Sequence, residues 1–189
     1  MISEQFVIGI DDTDAPDDPE AGTGALARAL AASVQAAGWG QSLGVTRHQL
    51  IESDKVPATA ENFAYAVVIQ TVRSILDVED DVVDFVREHA SKAADPGVAI
   101  LSRHSDMPHL LAFGRRSQSE VMRLDWAQTF ANESNASLRA LGAKRRGVVG
   151  ALAAAGLRAG GQDGRFIDLP AIRDIEGRLT AGQIRERTG

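Results

Sequence analysis

The chain reads as an α/β (α+β) domain built in layers, a mixed sheet with helices on its flanks. Three observations predict this. Short apolar runs bounded by turn residues alternate with segments whose apolar residues recur every three or four positions. The composition, 44% hydrophobic and 24% charged, is that of an ordinary globular domain. At 189 residues the chain can bury a sizeable core without cross-links, and it has no cysteine to make any. We therefore read 1–189 as a single domain. Residues of about 42–102 run strand, strand, helix, strand and predict a ferredoxin-like subdomain.

Phe6-Val7-Ile8-Gly9-Ile10 is an apolar run ending in a turn, which predicts a buried strand. The loop from Asp11 to Gly22 carries six acids (Asp11, Asp12, Asp14, Asp17, Asp18, Glu20) and no base. Its Pro16 and Pro19 bar a helix. Leu26, Ala27, Leu30, Ala31 and Val34 then form one apolar stripe, so a helix is expected from Thr23 to about Ala37, ended by Gly38 and Gly40. Strands are expected over 42–51 and 63–72, joined by a loop around Pro57. In the next helix Val78, Val82, Phe85, Val86 and His89 face inward, with Glu79, Asp80, Asp84, Arg87 and Glu88 on the polar side. Asp95-Pro96-Gly97 predicts a turn and 98–101 a short strand. Residues 103–118 fit no single element. A helix is expected from Ser119 to about Asn132, and a small-residue helix over 148–157, closed by Gly160-Gly161. The tail predicts strands at 165–169 and around Ile172 to Ile175, then a helix with Thr180 as N-cap.

Several classes of function are excluded. Without cysteine there is no thiolate catalysis, zinc ribbon or iron–sulfur cluster. No apolar run approaches the roughly 20 residues of a membrane helix. Met1 to Gln5 lacks the basic flank and apolar stretch of a leader, so a cytoplasmic protein is expected. The net charge of −6 argues against a purely electrostatic nucleic-acid binder. No Gly-x-Ser-x-Gly elbow is present, which argues against an acyl-transfer hydrolase.

What remains is the end of the first strand. Asp11, Asp12 and Asp14 lie within four residues there. Clustered carboxylates repel unless a cation or proton lies between them, and hard oxygen ligands suit Mg2+, which shares its shell with substrate phosphates. Further on, Gly22-Thr23-Gly24 opens the first helix, where free N–H groups attract anions. Thr23 has the chemistry to cap the helix, contact a phosphate or accept a phosphoryl group. Lys144-Arg145-Arg146-Gly147 is a second anion-site candidate, while Gly147, Gly150 and Gly156 also suit close helix packing. Asp11, Asp12, Asp14 and Thr23 are thus the candidate catalytic groups, the three acids the metal ligands, and Thr13, Gly22, Thr23, Gly24, Arg146, Gly147 and Gly150 the nucleotide-binding set. His104, Asp106 and His109 are of metal-ligand type, but their irregular context favours structural roles, as expected also for His48 and His89.

Gly9-Ile10-Asp11-Asp12-Thr13-Asp14 resembles the N-terminal signature of the archaeal synthetases that make 2-agmatinylcytidine in isoleucine tRNA. Val56-Pro57 through Asn62, Asp95 to Val98 and Arg146 to Ala154 are similar to family segments in the same order. The resemblance implies a kinase-like domain that binds ATP and magnesium through Asp11, Asp12 and Asp14. Thr23 falls where the family has a threonine associated with phosphorylation. There are departures. The family's Cys-Thr-Thr is Gly22-Thr23-Gly24 here, and Ala58-Thr59-Ala60-Glu61 replaces its Lys and Arg. A chain without cysteine has no counterpart of the family's zinc ribbon. The expected function is an ATP- and Mg-dependent phosphotransferase or nucleotide hydrolase, a stand-alone relative of the kinase-like part. The alternatives are an aspartate-nucleophile phosphatase, from Asp12-Thr13-Asp14, or a non-catalytic module binding nucleotide or RNA.

Overall fold

The computed structural model describes residues 3–15, 22–56, 61–173 and 175–188. The acids Asp17, Asp18 and Glu20 with Pro16 and Pro19, and the loop residues Pro57 to Ala60, lie outside the described residues.

Six strands form one sheet: β1 (Glu4–Asp11), β2 (Gln41–Gln49), β3 (Phe63–Thr71), β4 (Gly97–Leu101), β5 (Ser137–Ala140) and β6 (Arg165–Asp168). Their order is β5-β4-β1-β3-β2-β6, and each of these pairings is antiparallel. β1 therefore lies between β3 and β4, and 41–101 contributes three strands to the same sheet. One face carries α1 (Thr23–Ala36) and α2 (Ile75–His89). The other carries α3 (Met107–Ser117), α4 (Leu124–Glu133) and α5 (Gly147–Ala159). Strand alternation divides β1 between the two cores. Phe6, Ile8 and Ile10 pack with Leu30, Val34, Val82 and Val86 of α1 and α2. Val7 and Gly9 turn to α5. Covered on both sides, the strand has an unbroken apolar run rather than an alternating one.

α5 lies unusually close to the sheet. A Cβ built on Gly9 would stand 1.9 Å from the carbonyl oxygen of Ala151, and one on Gly97 would stand 2.2 Å from the carbonyl carbon of Gly147. The helix is Gly147-Val148-Val149-Gly150-Ala151-Leu152-Ala153-Ala154-Ala155-Gly156-Leu157 for most of its length, and all of these except Val149 are buried.

Local signals explain the remaining elements. The unassigned stretch 103–118 contains α3, begun by Asp106, whose Oδ1 accepts from the His109 N–H at 3.1 Å, with Pro108 in the first turn. The helix expected from Ser119 starts at Leu124. The amides of Ser119 and Glu120 still donate to the Arg116 carbonyl, so those residues close α3 instead. The strand expected around Ile172 to Ile175 is instead a helical turn, α6 (Pro170–Arg173), because Pro170 presets the first helical position. β5 carries too few residues to leave a periodic signal. Glu79, expected on the polar face, is buried, where it accepts from Ser137 Oγ and the Arg139 guanidinium of β5. Thr180 caps α7 (Ala181–Thr188) as expected: its Oγ1 accepts from Gln183 N–H at 3.3 Å, and Gln183 Oε1 accepts from Thr180 N–H at 2.9 Å.

His48 has the structural role expected of it. Fully buried, it bonds Thr46 Oγ1 at 2.8 Å through Nε2 and Asp163 Oδ1 at 2.7 Å through Nδ1. Burial pushes its pKa down, against the opposing pull of Asp163.

Two predictions follow from the packing. Gly9→Ala should destabilise by about 1–3 kcal/mol or more, because a backbone carbonyl cannot step aside for the methyl group; urea denaturation measures it. For His48 the unfolded imidazole takes a proton near pH 6.5 while the folded one resists it, so the unfolded state binds more protons below that value. The native state should therefore hold its full stability above about pH 6.5 and lose part of it as the pH falls towards the folded pKa. Urea midpoints across that range should fall less steeply in His48→Gln.

Candidate functional site

Asp11 is the last residue of β1, and Asp12 then takes a left-handed backbone, φ 54°. Asp is among the few residues that tolerate that region. Asp11, Asp12 and Asp14 all line one cleft of about 370 Å³. Thr23, Arg146 and Gly150 line the same cleft. The cleft opens at the end of the central strand, where α5 and α1 both begin.

Thr23 is the first residue of α1, and no side chain caps that helix. Its hydroxyl turns back into the acidic loop instead. Thr23 Oγ1 donates to Asp14 Oδ1 at 2.8 Å and accepts from Thr13 N–H at 3.2 Å and Thr13 Oγ1 at 3.1 Å. Thr13 is fully buried beneath the cleft and serves as the post on which Thr23 rests. Gly24 lies against the ring of Tyr65, where a Cβ would approach within 2.8 Å, and Gly147 lies against Gly97. Gly22 is the N-cap residue of α1. Of the sequence-derived set, Asp11, Asp12, Asp14, Thr23, Arg146 and Gly150 line the cleft, and Thr13, Gly22, Gly24 and Gly147 are not among its lining residues.

Gly150 fixes the position of Asp11. A Cβ at 150 would stand 1.9 Å from Asp11 Oδ2, so the carboxyl occupies the space that the glycine leaves. Burial raises the Asp11 pKa well above the usual carboxylate range; the Asp12 charge adds to this, and the Asp12 N–H opposes it. Burial also raises Asp12, which Arg146 pulls back down and Asp95 and Asp14 push up.

The sequence places Asp95 in a turn and gives it no role in the site. It is 3% exposed, and its carboxylate accepts from the backbone N–H of Lys144 at 2.9 Å and of Arg146 at 2.7 Å. The amides of the basic turn thus already hold an anion, the protein's own. What reaches the cleft is the Arg146 guanidinium, with Nε 3.4 Å from Asp12 Oδ2 and 3.6 Å from Asp95 Oδ2. The same cleft is also lined by Leu50, Ile51, Val56, Phe63, Val121 and Met122, interspersed with Lys55, Glu61, Asn62 and Glu120. His104, Asp106 and His109 do not form a metal trio; Asp106 caps α3, and His109 bonds Ser134 Oγ at 2.9 Å and stacks on Phe130.

The donor set suits a divalent cation. Asp11 and Asp12 are neighbouring carboxyls whose ionised forms are disfavoured by burial and by adjacent negative charge, which a cation would relieve. Among the described residues no three acids or histidines close around an ion by themselves. Magnesium characteristically takes one or two carboxylates and fills its shell with water and phosphate oxygens.

No protein-family model and no curated protein matches the chain. Solved structures do. Apo tRNA(Ile2) agmatidine synthetase, TiaS, has a TM-score of 0.66 at 23% identity, over 80% of this chain and 35% of that one. The complex of TiaS with tRNA(Ile2) and ATP also scores 0.66 at 23% identity, over 81% and 36%. A tRNA fluorescent labeling enzyme scores 0.67 at 24% identity, over 80% and 36%. The chain spans about a third of the length of these structures (35–36%). It is a structural relative of part of TiaS, and the likeness is one of fold.

The basic turn depends on Asp95 for its shape. Asp95→Asn replaces one accepting oxygen with a donor that faces an N–H, so the variant should lose about 1–3 kcal/mol of stability. Amide exchange at 144–147 should accelerate with it.

Proposed function

We propose that the chain is a magnesium-dependent phosphotransferase or hydrolase acting on a nucleoside triphosphate, ATP in the first instance. One observation carries the reading: three carboxyls, a buried threonine hydroxyl and an arginine line one cleft. The fold relationship supports it, since TiaS has been solved with ATP and with AMPCPP.

In this reading Asp11 and Asp12 would hold the metal, whose charge would offset the negative charge of the phosphates. Asp14 keeps the Thr23 hydroxyl oriented through the 2.8 Å bond. Arg146, whose Nε lies 3.4 Å from Asp12 Oδ2, would offer its guanidinium to a phosphate. The uncapped first turn of α1 leaves backbone N–H groups available to an anion. If Thr23 is the acceptor, its oxygen bonds to the γ-phosphorus, its proton passes to Asp14 and the nucleoside diphosphate leaves. If water is the acceptor, the same groups position it and inorganic phosphate is released.

The test is to incubate the protein with each nucleoside triphosphate and magnesium, and to assay ADP, AMP, pyrophosphate and the mass of the Thr23 peptide. Asp12→Asn should reduce turnover by more than about tenfold, the loss seen even for an outer-sphere partner of a metal. Unchanged magnesium-dependent binding and turnover in that variant would refute the assignment. A hydroxylamine-sensitive phosphate on Asp12 would mark an aspartate-nucleophile phosphatase instead, and nucleotide bound without product a binding module.

A further inference from the structure

The Arg146 guanidinium is flanked by two carboxylates that differ in kind. Asp12 lines the cleft, with Oδ2 3.4 Å from Arg146 Nε. Asp95 is buried outside the cleft lining, with Oδ2 3.6 Å from the same nitrogen. Main chain engages both Asp95 carboxylate oxygens: Oδ1 accepts from the Lys144 N–H and Oδ2 from the Arg146 N–H. The main chain of Asp95 is tied as well, its N–H to the Asp12 carbonyl at 3.2 Å and its carbonyl to the Gly147 N–H at 3.1 Å. Gly142 closes the remaining space, since a Cβ there would stand 1.9 Å from Asp95 Oδ1 and 2.5 Å from Asp95 Cα. Arg145, between the two donated amides, has a left-handed backbone, φ 59°. An arginine keeps that conformation only where its surroundings hold it there.

Resting on the phosphate-site reading above, we propose that Asp95 is a positioning residue, which sets phosphate affinity from outside the cleft by holding the Arg146 side chain at it. A guanidinium already in place loses little freedom when a phosphate arrives, whereas one on an unpinned turn must be ordered by the ligand at a cost in affinity. The amides of Lys144 and Arg146 stay with Asp95 when a ligand binds. The basic turn therefore offers an anion the arginine side chain and not its main chain.

The experiment is calorimetric titration of the full chain with inorganic tripolyphosphate in magnesium, for the parent, Asp95→Asn, Arg146→Ala and the double variant, at a temperature where circular dichroism shows each folded. Arg146→Ala should weaken binding by about 10- to 100-fold, the worth of a hydrogen bond to a charged group. Asp95→Asn should weaken it by about fivefold or more, and by less than about twofold once Arg146 is alanine. Removing a negative charge beside an anion site would by itself tighten binding, so weakening marks lost position and not lost charge. Equal weakening in both backgrounds, or none in the parent background, overturns the proposal. NMR of the parent gives a reading that needs no variant. Tripolyphosphate should shift the Arg146 Nε–H signal and leave amide exchange at Lys144 and Arg146 as slow as in the free protein. An unmoved Nε–H, or faster exchange at those amides with ligand bound, overturns the proposal too. Binding that depends on magnesium and Asp12 but not on Arg146 sinks this proposal and leaves the phosphate-site reading standing. Failure of the parent to bind both tripolyphosphate and ATP removes the two together.

Discussion

The contact on which the rest of the structure depends is the backbone-to-backbone approach of α5 to β1 and β4. Gly9 meets Ala151, Gly97 meets Gly147, and Gly150 leaves room for the Asp11 carboxyl. Interiors are packed as densely as organic crystals, so this spacing has no slack. Any side chain at 9, 97 or 147 would lift the helix from the sheet. The helix would take with it the turn that carries Arg146 and the wall that holds Asp11. A packing requirement in the middle of the molecule therefore sets the geometry at its edge.

This packing has an electrostatic consequence. Tight docking excludes water from Asp11, and exclusion of water penalises its charge. Evolution of a core alone would replace such a carboxyl with an apolar residue. It sits instead beside two more acids, one of them held in a left-handed backbone. Backbone in sparsely populated regions costs about 1–3 kcal/mol and collects at functional sites. Three destabilising choices at one point of an otherwise well-packed molecule are the physical reason to look for a ligand there. Raised carboxyl pKa values in a cleft point the same way.

Much of this was legible in the sequence because it is local. The apolar run Phe6 to Ile10 shows a strand buried on both faces, and the stripe of Leu26, Leu30 and Val34 shows which side α1 buries. The Thr180 cap could be read because its partner, Gln183, is three residues away. The acids at 11, 12 and 14 and the threonine at 23 were visible as types, and the fold brings them to one cleft. What was illegible is what depends on residues far apart. Asp95 serves amides 49 and 51 positions further on. Glu79 is buried because β5, some 58 to 60 positions later, lies beneath it. The apolar part of the cleft lining draws on Leu50, Ile51, Val56, Phe63, Val121 and Met122, residues that only the fold brings together. The antiparallel order, with β1 between β3 and β4, likewise has no local signature.

The basic turn shows how a motif can be right in chemistry and different in use. Lys144-Arg145-Arg146-Gly147 reads as an anion site, and its amides do hold an anion, the buried Asp95 carboxylate. Charge-assisted bonds of this kind are roughly twice as strong as neutral ones, so the turn is pinned before any ligand arrives. The pin has a direction. Asp95 N–H donates to the Asp12 carbonyl at 3.2 Å, Gly147 N–H donates to the Asp95 carbonyl at 3.1 Å, and the Arg146 guanidinium lies near both carboxylates. Asp95 is thus the joint between the acidic loop and the start of α5. A cation held by Asp11 and Asp12 would compete with Arg146 for Asp12, while Asp95 keeps the arginine beside the cleft. Arg146 would then be held at the rim with its charge partly unmatched, facing the place where a phosphate would bring the opposite charge.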